Sequence, residues 1–151
     1  MTIKEIDTYD AIQLIFKTND FPVLKSHLES EVYIENDNIY YVYVNDKDLS
    51  DNIYINDSIL YKWIVIIENE HVVALQLLQF NEDYIELVII EKVKKYNVHN
   101  IFKNVLDYVE KTYKPNKIYT FPLHDKLKDE YKKYGFIEKD NELIKIIYNE
   151  S

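Results

Sequence analysis

Cysteine is absent from this 151-residue chain, which excludes a disulfide framework and any zinc site built on thiolates. Arginine is absent too, so all 18 basic residues are lysine. No apolar run approaches the roughly 20 residues that a membrane-spanning helix needs; runs such as Leu87–Ile90 are far shorter. The N-terminal Met1-Thr2-Ile3-Lys4-Glu5 lacks the apolar stretch of a secretory signal. A cytoplasmic location without membrane contact is therefore expected. Glycine occurs once, at Gly135, where average usage would give about ten. Turns must then be made by Asn and Asp, the other residues that tolerate positive φ. Such clusters punctuate the chain at Asn19-Asp20, Asn45-Asp46, Glu68-Asn69-Glu70, Asn81-Glu82-Asp83 and Asp140-Asn141.

What is present fits one domain over residues 1–151, with 47% hydrophobic and 30% charged residues. The net charge of −9 argues against nucleic-acid binding. It is unevenly spread, because residues 92–133 carry 11 lysines against 5 acids. A lysine-rich segment in an acidic chain is either a solvated helix face or a seat for a polyanion.

The hydrophobic pattern divides the chain into elements. Thr2–Ile6 reads as a short strand. Asp7 or Thr8 can cap a helix that turns Ala11, Ile12, Ile15 and Phe16 to one face. Asp20 can cap a second, with Pro22 in its first turn and Leu24 and Leu28 inward. Residues 31–57 form an insert in which only Ile39–Val44 has strand character. Ile59–Ile67, Val72–Phe80 and Tyr84–Ile90 are β-branched and aromatic runs joined by short polar turns, which predicts an antiparallel meander. A helix over Val98–Tyr113, a strand over Ile118–Phe121 and a helix over Asp125–Tyr134 follow. Gly135 closes that helix, and Phe136–Glu138 with Leu143–Tyr148 make a final strand pair. The expected class is α/β, a mixed and mostly antiparallel sheet flanked by helices.

Two stretches resemble the GNAT superfamily of acetyl-CoA-dependent N-acetyltransferases. Members often read Glu-Leu-Ala-Val-His-Pro-Glu-Tyr-Arg-Gly-Lys-Gly-Ile-Gly from one strand into its following loop. Glu86-Leu87-Val88-Ile89-Ile90-Glu91-Lys92-Val93-Lys94-Lys95-Tyr96-Asn97-Val98-His99 aligns with that without a gap. Members also carry Phe-Tyr-Glu-Lys-Leu-Gly-Phe, and Glu130-Tyr131-Lys132-Lys133-Tyr134-Gly135-Phe136 places the sole glycine on that motif's glycine. The resemblance spans about residues 60–148 and implies a GNAT-like fold.

It also implies a site. In the family an Arg/Gln-x-x-Gly-x-Gly/Ala loop presents the unpaired amides and positive dipole of a helix start to the CoA pyrophosphate. The three defined positions hold Lys94, Asn97 and His99 here, a degenerate version that keeps charge but not glycine. The cofactor positions implied are Ile89, Lys94, Lys95, Tyr96, Asn97, Val98, His99, Asn100 and, in a later loop, His124. Tyr131 falls where the family has a general acid, and Glu86 where it often has a general base. As a carboxylate in an otherwise apolar strand, Glu86 either lies near a solvated end or acts as a base. The implied function is direct acetyl transfer from acetyl-CoA to an amine, which the acidic surplus suggests is cationic, with room for a homodimer. The alternative is an inactive GNAT-like module that binds a protein partner or an acyl-CoA, with Ile39–Val44 as interface. The four histidines, at 27, 71, 99 and 124, lack ligand spacing, so no metal is expected. His27 and His71 read as surface or helix-face residues.

Overall fold

Strand-forming runs on either side of two tight turns organise the sheet first. In the computed structural model the described residues are 1–30, 32–35, 38–41, 60–122 and 125–147. The elements are β1 (Thr2–Ile6), α1 (Thr8–Lys17), α2 (Pro22–Ser30), β2 (Val32–Glu35) and β3 (Asn38–Tyr41), then β4 (Leu60–Glu68), β5 (His71–Phe80), β6 (Tyr84–Lys92) and α3 (Ile101–Tyr113). After them come β7 (Lys117–Thr120), α4 (Asp125–Lys133), β8 (Ile137–Lys139) and β9 (Glu142–Ile146). Seven strands form one sheet in the order β1-β4-β5-β6-β7-β9-β8, and β2-β3 form a separate hairpin. Among the described residues the only parallel neighbours in the large sheet are β6 and β7.

Asn and Asp do perform the turns. Asn69 and Glu70 between β4 and β5, and Asp140 and Asn141 between β8 and β9, all have positive φ, the backbone of a two-residue hairpin. Gly135 (φ +99°) ends α4. There the Gly135 N–H donates to the Lys132 carbonyl and the Phe136 N–H to the Tyr131 carbonyl, so helix carbonyls are satisfied as the chain reverses. Phe136 therefore belongs to the turn rather than to the last hairpin, which starts at Ile137.

Both faces of the sheet are buried. One face packs Ile64, Ile66, Ala74, Leu78, Ile85 and Leu87 against α3 and Tyr131 of α4. The other packs Trp63, Val65, Leu75 and Leu77 against Ala11 and Ile15 of α1 and Leu24 and Leu28 of α2. This explains why β4 and β5 read as nearly continuous apolar runs.

Three expectations change. The helix expected from Val98 begins at Ile101, because Asn100 takes a left-handed conformation (φ 62°, ψ 23°) that a continuous helix excludes. Asp7 caps α1, its carboxylate accepting from the Asp10 N–H at 2.8 Å, but α2 is capped from far away instead of by Asp20. The Glu91 carboxylate of β6 accepts the Val23 N–H at 3.0 Å and the Leu24 N–H at 2.7 Å, and Asp20 pairs with Lys95 at 3.3 Å. Within the insert the strand expected over Ile39–Val44 is β3, which pairs with an unanticipated β2. Residues 42–59 lie outside the described residues, as does Tyr148.

Candidate functional site

The site begins with a defect in strand pairing. Leu77 of β5 faces Ile89 of β6, yet the next residue, Leu78, faces Leu87. Val88 is the extra residue of a β-bulge, which bends its strand locally. Gln76, buried in β5, donates from Nε2 to the Ile89 carbonyl at 2.9 Å and to the Leu77 carbonyl at 2.8 Å, filling the gap in the ladder. On its other edge β6 pairs with β7 only from Tyr84–Lys117 to Leu87–Thr120. Beyond that point β6 runs on to Lys92 while β7 has ended, so the two strands part.

A cleft of about 400 Å³ opens where they part. Its wall takes side chains from both faces of the sheet. Leu87, Ile90, Phe102, Leu127 and Tyr131 come from the α3/α4 side. From the α1/α2 side come Val88 and Ile89 of β6, with Val23 and His27 of α2. Thr120 and Phe121 close the β7 side, and Lys92 and Lys94 bring positive charge.

Tyr131 is held rigidly. Its ring meets Phe102 and Phe136 edge-on, at 5.6 and 5.2 Å between centroids, and it is 4% exposed. Burial pushes its pKa up to about 12, with the neighbouring Thr120 hydroxyl pulling weakly the other way. The phenol is thus a proton donor at neutral pH. Thr120 in turn donates to the Leu87 carbonyl at 3.1 Å, tying β7 to β6 at the last paired position.

Glu86 lies across the sheet from Tyr131. Ile85 and Leu87 on either side of it face the α3/α4 core, so by strand alternation Glu86 faces the other way. It stands opposite Tyr119 in the β6–β7 register and lies outside the cleft wall. Burial, and then the negative charge of Glu142, raise its pKa above the ordinary carboxylate value of 4.5. A carboxylate raised on folding lowers stability as pH climbs from that ordinary value through the raised one. Glu86→Gln is accordingly expected to raise the melting temperature at neutral pH. The gain should vanish at about pH 3.5, where the folded and unfolded carboxyls are both protonated. An equal gain at both pH values, measured by thermal melts, would count against a strained ionised Glu86.

The loop residues implied for the cofactor are divided between two cavities. Ile89 and Lys94 line the cleft with Tyr131. Tyr96, Asn97, Val98 and His99 line a second cavity, of about 410 Å³, beside Met1 and His71. There the His71 and Tyr96 rings stack at 5.1 Å. Lys95 is bound to Asp20 and sits over the Tyr96 ring. In this loop the positive φ falls at Asn100 and not at Asn97, and Asn100 opens α3 without a side-chain cap. His124 lies outside the described residues. Of the lysine-rich segment, Lys128 and Lys132 pair with Glu138 and Lys133 with Glu130, whereas Lys92 and Lys94 line the cleft. His27, read as a surface or helix-face residue, stands on α2 and lines the cleft; helical periodicity alone did not mark it for the site. Among the described residues no three His, Asp or Glu side chains gather to hold a metal ion. No helix among them is long and apolar enough to cross a membrane.

Solved structures match this architecture over nearly its whole length. A putative GNAT-family acetyltransferase from Bacteroides thetaiotaomicron aligns over 99% of this chain and 89% of its own, at TM-score 0.57 and 12% identity. A GNAT-family acetyltransferase from Elizabethkingia anophelis, solved with acetyl-CoA bound, aligns over 97% of both chains at TM-score 0.52 and 13% identity. The chain has the GNAT fold. Escherichia coli ElaA aligns with it over 96% of this chain and 99% of its own, at TM-score 0.53 and 12% identity. No family model matches the sequence, and no curated protein matches it. In this GNAT fold, β6 and β7 are the strands that part, and α3 and α4 cover the face that carries Tyr131.

Proposed function

We propose that the protein is an acetyl-CoA-dependent N-acetyltransferase that moves an acetyl group directly to an amine. The observation that carries this is a single cleft walled from both faces of the sheet, with a protonated, immobile phenol on one side and a carboxylate of raised pKa near the other. A direct transfer needs donor and acceptor to meet from two sides, and the parted strands allow it.

The residues present fit the cosubstrate. Lys92 and Lys94 at the cleft can hold phosphate charge, and the first turn of α3 has no acidic residue and no side-chain cap from Asn100, so its amides can take an anion. Bound there, acetyl-CoA would supply an acyl group activated as a thioester. Tyr131 holds a proton at its hydroxyl for the departing sulfur. Glu86, its pKa raised above the ordinary carboxylate value by burial and then by Glu142, would take a proton from the incoming amine, directly or through water. Val88 and Ile89, at the bulge, orient the reacting end of the ligand.

Calorimetry with acetyl-CoA tests the reading. Saturable binding that weakens as salt is raised is expected, because Lys92 and Lys94 contribute exposed charge. Absence of heat at millimolar ligand would remove the enzyme reading. That result would favour the second one, a GNAT-like module without catalysis, which the turning of Asn97 and His99 to the other cavity supports.

A further inference from the structure

We propose that the acceptor side of the cleft takes a primary amine carried on an apolar body, such as an arylalkylamine, in preference to a polyamine or an amino sugar. The inference rests on the transferase reading and names its substrate class.

The α1/α2 side of the wall is made by Val23, His27, Val88 and Ile89, with Phe121 at the end of β7. Val23 is 53% exposed and Phe121 49% exposed. Both are among the few large apolar side chains that the described residues leave open to water, and both stand on this one cleft. Apolar surface gathered at the mouth of a cavity marks a ligand contact.

Charge points the same way. A polyamine brings ammonium groups that each need a carboxylate. Among the described residues the wall contains a single carboxylate, Glu91. Both of its oxygens are engaged by the Val23 and Leu24 N–H groups, at the positive end of α2. The other formal charges of the wall are Lys92 and Lys94, which repel a polycation. One ammonium can still be received, by Glu86 just beyond the wall. An amino sugar would set its hydroxyls against Val23, Val88, Ile89 and Phe121, where they lose hydrogen bonds to water without replacement. Among the described residues, the acidic surplus that by itself suggests a cationic acceptor contributes only Glu91 to this wall.

The test measures kcat/KM with acetyl-CoA for phenethylamine, spermidine and glucosamine. Phenethylamine is expected to lead both others by about tenfold or more. Val23→Asp and Phe121→Asp should each lower its kcat/KM by about tenfold while acetyl-CoA affinity holds. Both positions are half exposed, so neither change opens the core. Spermidine or glucosamine equal to or better than phenethylamine overturns the proposal, as does acetyl-CoA binding without acetylation of phenethylamine. In both of those cases the transferase fold still binds its cosubstrate. Failure to bind acetyl-CoA removes the transferase reading and this one together.

Discussion

Tyr131→Phe is expected to lower kcat for acetyl transfer by about 100-fold, at the lower end of what a positioned proton donor contributes, with acetyl-CoA affinity nearly unchanged. The ring makes its edge-on contacts to Phe102 and Phe136 whether or not it carries a hydroxyl, so packing and the end of α4 should survive the change. What is lost is a proton held at Tyr131 Oη, and burial keeps that proton in place because the pKa is pushed up to about 12. A donor needed only as the sulfur departs affects kcat and kcat/KM together and leaves ground-state binding alone. Steady-state rates beside calorimetric affinities separate these quantities. A rate that stays within about threefold would take Tyr131 out of the mechanism and leave it as a core aromatic.

Glu91→Ala is expected to cost about 2–5 kcal/mol of unfolding free energy, since two hydrogen bonds to a charged group are lost and two N–H donors are stranded. Glu91 is 7% exposed, and the Leu24 N–H that it accepts is buried. Urea denaturation reads the loss, and amide exchange at Val23 and Leu24 should quicken specifically. Glu91→Gln should fall between, because its amide oxygen can still accept one N–H while its NH₂ group faces the other. A loss under about 0.5 kcal/mol with unchanged exchange would mean that α2 holds its place without this clamp. The consequence for the site is direct. Glu91 anchors the start of α2, which carries Val23 and His27, to the strand that carries Val88 and Ile89, so one side chain sets how the two parts of the α1/α2 wall meet.

Much of the fold was legible because its signals are local. The meander of β4, β5 and β6 was written in β-branched runs, and the Asn-Glu pair between β4 and β5 and the Asp-Asn pair between β8 and β9 were able to adopt positive φ. Gly135 marked the end of α4, since a left-handed residue must stand where that helix reverses into β8. Tyr131 was marked by the family resemblance of the motif that ends at Gly135-Phe136, and Glu86 stood out as a charge among apolar neighbours. The hairpin β2 was not legible, because a four-residue strand beside acidic turn residues carries too little periodicity to detect.

The cofactor loop is where sequence reasoning reached its limit. An ungapped alignment can number Lys94, Asn97 and His99, but it cannot say which way a loop turns between two cavities. That depends on where α3 begins, and Asn100 rather than Asn97 takes the left-handed backbone that decides it.

The sequence by itself therefore determined the order of elements outside the 31–57 insert, the turns made without glycine and the helix stop at Gly135, each a property of a few adjacent residues. Only the tertiary structure decided that Glu91 caps a helix 67 residues away, that Val88 bulges out of β6, and that His27 and Val23 face the cleft. Each of these depends on sheet register. Register is set by how whole faces of the sheet bury against α1 to α4, and no local pattern contains that information.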